Sequence, residues 1–359
     1  MKKYVRSLLA ALLVPVVMLL PGAKAAEEKR FSNHFFNTFD TVVSLIGYAK
    51  DQETFDKAFQ LVQDRFIYLN KVFDKYNAYE GFINLYTVNQ NAAKGPVQVP
   101  KELMEVLIYC RENQQKYPAT FNVAMGSVLS IWHDHRDLAD ANPASATVPD
   151  VADLQAAAVH TNIDDVVLDE VNSTVYFKDP ALSLDVGAIA KGYAAESAAQ
   201  LLFSSSSMTS FIINAGGNVR TGDQPQDGRK AWGIGIQDPF STAFSDAPPI
   251  ETLFMKDISV VTSGINERYY EVDGVRYHHL IDPKTLFPAQ YMASVTIVTE
   301  SSTLADFLST TLFMMPYEEG RALIDSLPEV EAIWVLLDGT QHMTDGLNAY
   351  AQSKGATIK

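Results

Sequence analysis

The chain contains one cysteine, Cys110, among 359 residues. No intramolecular disulfide can form, so the fold must be held by its core, and a content of 47% hydrophobic residues can supply one. Basic residues are also scarce: 28 Lys and Arg stand against 43 Asp and Glu, a formal charge of −15. That balance argues against a nucleic-acid partner, because phosphate backbones reward a basic surface, but it allows a single phosphate held at a local site. Beyond the N-terminal segment there is no apolar run of membrane-spanning length, and there is no linker rich in Pro, Gly or Ser. Internal repeats are absent, as is a GxGxxG motif opening a helix.

The one long apolar run, Leu8 to Leu20, follows Lys2, Lys3 and Arg6 and precedes Ala23-Lys24-Ala25. It is too short for a comfortable span of about 20 residues. Its flanks are those of a secretory signal peptide cleaved after Ala25. No cysteine follows that point, so no lipid anchor is expected. The expectation is a signal peptide over 1–25 and a single domain over 26–359, exported and soluble in the periplasm or its equivalent.

Apolar alternation predicts a strand in "TVVSLIGYA" (41–49), and three-to-four spacing predicts an amphipathic helix over 55–76. A second helix is expected between Pro100 and Pro118, then a loop and a short helix over 137–165. "DDVVLDEVNSTVYF" and "ALSLDVG" are β-rich runs, and a helix opens at Gly187 and runs to about Phe203. "SFIINAGGNVRTG", "AWGIGIQDP", "ISVVTSG", "RYYEVDGVRYHHLIDP" and "ASVTIVT" are further strand candidates, the fourth a hairpin turned at Asp273-Gly274. "SSTLADFLSTTLFMM" is a last helix and "EAIWVLL" a terminal strand. Strands, helices and hairpins interleave without a regular βαβ alternation, so the expected class is α+β, with mixed or antiparallel sheets and packed helices.

Four short stretches could carry chemistry. In "SLDVGAIAKGYAAE" (183–196), Asp185 ends a strand, Gly187 permits a close turn, and the N–H groups of the new helix face whatever lies in front of them. Such an end suits an anion, with Lys191 one turn in; alternatively Asp185 only caps the helix and Lys191 is solvated. "NAGGNVRTG" allows a bulge or a close ligand approach. In the hairpin segment, His278 and His279 fall on opposite faces, so one of them can face a pocket, and a histidine near an acid such as Asp282 could accept a proton. The same pattern also occurs in ordinary hairpins. Finally, Asp306 and Thr310 stand four apart on a helix and share a face. Carboxylate and hydroxyl oxygens suit Mg²⁺, though an Asp–Thr surface pair reads the same way.

In this order, "SLDVGAIAKGY", "INAGGNVR", "WGIGIQDP", "VTSGINERYYEVDGVRYHHLIDPKT", "SVTIV" and "LADFLSTTLF" resemble the FAD:protein FMN transferases, the ApbE family, over essentially all of 26–359. The resemblance also takes in "FDTVVSLIGY" and "TFNVAMGSVLSIW". It implies that Asp185 and Lys191 contact FAD, and that Mg²⁺ is held by the Ala188 carbonyl with Asp306 and Thr310. Phe39, Tyr76, Thr120, Phe121, Asn122 and Ile281 would line the flavin and adenosine pocket. His279 would activate the acceptor. The chain departs from the family pattern at Phe39 (usually methionine), Asn122 (commonly aspartate) and Leu286 (glycine in "DPxTGxP"), and "GFINLYTVN" blurs "SExSxxN".

The reaction implied is Mg²⁺-dependent transfer of FMN from FAD to a Thr or Ser hydroxyl of an exported or membrane flavoprotein, possible acceptors including subunits of ion-pumping oxidoreductases, with release of AMP. With water as acceptor, the same site would be an FAD pyrophosphatase. A flavin-binding protein without turnover is the third reading, and it predicts disrupted metal and base positions, whereas these are intact.

Overall fold

The computed structural model describes residues 28–117, 121–205, 208–241 and 247–358. The expected signal peptide therefore lies outside the described residues. In chain order the elements begin β1 (Lys29–Thr38), β2 (Thr41–Ala49), α1 (Gln52–Phe73), α2 (Leu85–Asn91), β3 (Val97–Gln98) and α3 (Lys101–Lys116). Next come α4 (Gly126–Ala141), α5 (Val151–Ala158), β4 (Val166–Asp169), β5 (Thr174–Phe177) and α6 (Gly187–Ser205). Strands β6 (Phe211–Ala215), β7 (Asn218–Thr221), β8 (Trp232–Ile236), β9 (Glu251–Met255) and β10 (Ser259–Gly264) follow. The chain ends with β11 (Tyr269–Val272), β12 (Val275–His278), β13 (Met292–Thr299), α7 (Ser302–Phe313), α8 (Tyr317–Asp325), β14 (Glu331–Leu336) and β15 (Gln341–Met343).

Eight strands form one sheet in the order β1-β2-β6-β7-β10-β13-β14-β15, and every neighbouring pair runs antiparallel. This is the α+β architecture that the irregular alternation of the sequence implies. β6 and β7 turn at Gly216-Gly217, both with positive φ (55° and 82°), the conformation a two-residue hairpin needs and glycine tolerates.

One face of the sheet carries the main core. α6 packs between α1 and α7, and α7 lies on β10 and β13. α1 turns Phe55, Phe59, Val62, Phe66, Leu69 and Val72 inward at helical spacing, and Asp51 caps it through the Thr54 N–H. α7 is buried on nearly all sides, which places Asp306 and Thr310 in the interior rather than on a wet face. The opposite face is covered by β8, β9 and the C-terminal turns, through Ile234, Ile236, Leu253 and Leu347. A third cluster joins α4 and α5 to the β11–β12 hairpin: Trp132 packs against Tyr277 and Phe287 and donates its Nε1–H to the Leu286 carbonyl at 2.9 Å.

Several local expectations change. "DDVVLDEVNSTVYF" is two paired strands, β4 and β5, whereas "ALSLDVG" contributes only a bridge between Ser183 and Met125. The loop expected from 137 begins after 141, because α4 runs through Ala141. α2, α4, α8, β1, β3, β9 and β15 are additional to the elements expected from the sequence.

Candidate functional site

The helix-covered face opens into a cavity of about 500 Å³. Its walls are the β1–β2 turn, the chain just after α1, the N-terminal half of α4, the first turns of α6, the end of β10 with the loop after it, the residues following β12, and α7. Phe39, Tyr76, Phe121, Asn122, Asp185, Ala188, Lys191, His279, Ile281, Asp306 and Thr310 all line it. Thr120 lies outside the described residues. Segments separated by as much as 271 positions in sequence thus converge on one space.

At the start of α6, Asp185 Oδ1 accepts the Gly187 N–H at 2.7 Å. Asp185 is therefore a cap as well as a cavity residue. Its Oδ2 pairs with Lys75 Nζ at 2.8 Å. Burial works to raise the Asp185 pKa, but the Lys75 charge and the Gly187 N–H outweigh it and hold the carboxyl below its usual range. Lys191 is not solvated: it is 9% exposed, donates to the Gly216 carbonyl at 3.2 Å and lies 3.7 Å from Glu267.

Asp306 and Thr310 are 4% and 5% exposed, so the surface-pair reading fails. Asp306 Oδ2 accepts the Gly192 N–H at 2.7 Å, and Oδ1 is 3.5 Å from Asn218 Nδ2. Burial pushes the Asp306 carboxyl up to about 6, with Lys191 and the Gly192 N–H only partly opposing it. A buried carboxylate this short of positive charge suits a cation. In a regular α-helix the Gly192 N–H would serve the Ala188 carbonyl. Its bond to Asp306 takes at least a share of that donor away, so the carbonyl keeps acceptor capacity. Thr310 Oγ1 is 3.4 Å from Ser263 Oγ. Carboxylate, carbonyl and hydroxyl form an all-oxygen donor set that fits Mg²⁺.

The two histidines separate as expected. His278 is buried against Phe313, its Nδ1 accepts the Leu280 N–H at 3.3 Å, and its Nε2 contacts the Ala289 carbonyl at 3.0 Å. That pattern fixes a neutral ring with the proton on Nε2, and burial pushes its pKa down to about 4. His279 faces the cavity, and its Nδ1 is buried without a hydrogen-bond partner. Burial, then the charges of Arg268 and Lys191, hold its pKa well below the usual value, leaving an unprotonated ring at neutral pH. Asp282 is no partner to it: its carboxylate accepts from the Lys284 N–H and the Tyr291 hydroxyl.

The ring wall is less uniform. Phe39 sits at φ 52°, its N–H held by Asn70 Oδ1 at 2.7 Å. Tyr76 packs tilted against His133 at 4.4 Å, and Phe121 packs on Phe307 at 4.5 Å. Asn122 is committed to backbone, donating to the Thr161 carbonyl and accepting the Ala124 N–H. Leu286 has φ 63°, the left-handed conformation that explains why glycine suits the position.

The model of the ApbE family matches residues 39–334. This chain belongs to the ApbE family. A FAD:protein FMN transferase of Treponema pallidum (strain Nichols) is 35% identical over 276 residues, covering 73% of each chain. One of Klebsiella pneumoniae (strain 342) is 30% identical over 293 residues, covering 80% of this chain and 84% of its own. The crystal structure of an ApbE protein from Thermotoga maritima aligns with a TM-score of 0.77 at 27% identity, over 90% of this chain and 99% of that one.

In this ApbE-family chain the cavity also holds residues that sequence reasoning missed. Lys75, Trp132, His133, Arg136, Glu267 and Arg268 line it. Lys75 adjoins Tyr76, and Glu267 and Arg268 fall inside the quoted hairpin segment, yet nothing in their spacing marks them. Arg136 contacts His133 Nδ1 at 2.7 Å, and the opposite nitrogen lies 3.2 Å from Asp137, so the His133 ring is held from both sides. Among the described residues, no helix is long and apolar enough to cross a membrane.

Proposed function

We propose that this protein transfers FMN from FAD to a Thr or Ser hydroxyl of a partner flavoprotein and releases AMP. The observation that carries the reading is the convergence of an acid-capped helix start, Lys191, His279 and the Asp306–Thr310 pair on one cavity, in a chain of the ApbE family. Relatives named FAD:protein FMN transferase support it.

The acceptor oxygen attacks the FMN-side phosphorus, the pyrophosphate P–O bond breaks, and AMP departs. His279, unprotonated at neutral pH, takes the acceptor's proton on a ring nitrogen. Lys191 stabilises charge on the phosphoryl oxygens. Phe39, Tyr76 and Phe121 hold ring systems and exclude water. Asp306, Thr310 and the Ala188 carbonyl would hold Mg²⁺, which neutralises pyrophosphate charge when bound. Such work is mostly positioning and electrostatics, so the buried donors matter more than any single nucleophile.

The acceptors are exported or membrane-exposed, consistent with a signal peptide in the first 25 residues. Incubating the purified protein with FAD, Mg²⁺ and a candidate acceptor domain should leave flavin on the acceptor after denaturation. Free FMN and AMP without labelled acceptor would instead support the pyrophosphatase reading, and bound FAD without turnover the binding-protein reading.

A further inference from the structure

With Arg136 and Arg268, Lys75 is a cavity cation that the mechanism above does not use. Its side chain is 7% exposed and its ammonium nitrogen is buried, which is costly for a charge unless it is paired. Two groups face it: the Asp185 carboxylate at 2.8 Å, and Tyr76, whose ring centroid lies 4.9 Å from Nζ. Burial alone would lower the Lys75 pKa, yet the Asp185 charge and Tyr76 turn the shift upward. The ammonium thus stays charged at the cavity wall, engaged by Asp185 and the Tyr76 ring.

What it touches is informative. Asp185 opens α6, and Tyr76 follows α1 and packs against His133 of α4. Without Lys75, Asp185 would be a partly buried carboxylate left with only the Gly187 N–H, free to rotate or to take up a proton. With it, one oxygen is fixed by Gly187 and the other by Lys75. A carboxylate has about four acceptor sites, so two remain for ligand hydroxyls or other donors. The same cation fixes the Tyr76 ring relative to that carboxylate.

We infer that Lys75 is a positioning residue for FAD, acting through Asp185 and Tyr76 to set the distance between the carboxylate at the helix start and the aromatic wall. The inference rests on the flavin reading above. It assigns Lys75 to substrate affinity rather than to the chemical step.

The test is FAD titration by flavin fluorescence, with steady-state transfer, for wild type, Lys75→Met, Lys75→Arg, Asp185→Asn and the double variant Lys75→Met/Asp185→Asn. Lys75→Met should raise the FAD Kd and KM by about 10- to 100-fold, as expected for losing a charge-assisted contact, with kcat at saturating FAD changed by less than about threefold. Lys75→Arg should recover most of the affinity. The double variant should bind FAD no worse than Asp185→Asn, because the two residues act as one unit. An FAD Kd for Lys75→Met within twofold of wild type, a loss confined to kcat, or additive penalties in the double variant would each overturn the inference. If Lys75→Met does not fold, Lys75→Gln removes the charge while keeping a donor, and the same comparison decides. Failure of wild type to bind FAD would instead remove the flavin reading itself.

Discussion

The Gly192 backbone N–H donates to Asp306 Oδ2 at 2.7 Å, tying the first turns of α6 to the middle of α7. The contact works only because residue 192 has no side chain: a Cβ there would collide with Asp306 Cβ and the Ser302 carbonyl. It links packing to chemistry, since it orients the carboxylate and takes a donor from Ala188.

Gly192→Ala should therefore force α6 and α7 apart. The expected cost is about 1–3 kcal/mol of stability, typical of overpacking, together with loss of transfer. A helix-interior glycine replaced by alanine otherwise gains stability through propensity. Thermal unfolding that shows an unchanged or raised Tm would refute the close approach.

Removing Mg²⁺ with a chelator should abolish transfer more completely than it weakens FAD binding, because ring contacts do not need the ion while the developing phosphate charge does. Asp306→Ala should behave the same way and should also lose Mn²⁺ binding when Mn²⁺ is titrated as a probe. Wild-type transfer by Asp306→Ala in Mg²⁺ would place the metal elsewhere.

His279→Ala should keep FAD and metal but lose transfer by about 10²- to 10⁴-fold, the usual share of a general base. His278→Ala leaves the cavity wall in place, so its loss of kcat should be far smaller. Its penalty should appear as a lower Tm, because it vacates a buried ring that serves Leu280 and Ala289. Equal losses of transfer in both variants would mark a structural role for the segment.

His278 also sets a pH dependence. Its pKa in the fold is about 4, against 6.5 for an ordinary histidine, so between those values the unfolded chain takes up a proton that the fold refuses. The stability contributed by the neutral ring is complete above about pH 6.5 and drains away as pH falls toward about 4. In urea unfolding, the stability advantage of wild type over His278→Gln should shrink by on the order of 3 kcal/mol across that window. A constant difference between the two proteins would show that His278 is protonated as easily in the fold as outside it.

Local pattern was enough for much of this protein. The turn signal at Asp273-Gly274 and the apolar run of β13 depend on near neighbours and appear where periodicity puts them, while the three-to-four spacing finds α1 but places it at 55–76 instead of Gln52–Phe73. Opposite faces for His278 and His279 follow from strand geometry alone. The order of the short motifs resembles a family whose model matches the chain. α4 was not legible from local pattern; its buried residues Val128 and Trp132 pack in a cluster with the hairpin segment, which lies far off in sequence.

Tertiary structure decided what the site residues became. The sequence left Asp306 and Thr310 readable as a wet surface pair, and only the placement of α7 against α6, β10 and β13 dehydrates them, raising the Asp306 pKa. It left Asp185 as a cap or a ligand contact, and the fold gives it the cap while bringing Lys75 to its other oxygen from 110 positions away. Asp282 stood near the histidines in sequence but is bound into its own turn. Spacing along a chain fixes which side chains share a face; burial and the arrival of distant charges fix what those side chains can do, and both are set by packing between elements that no local pattern encodes.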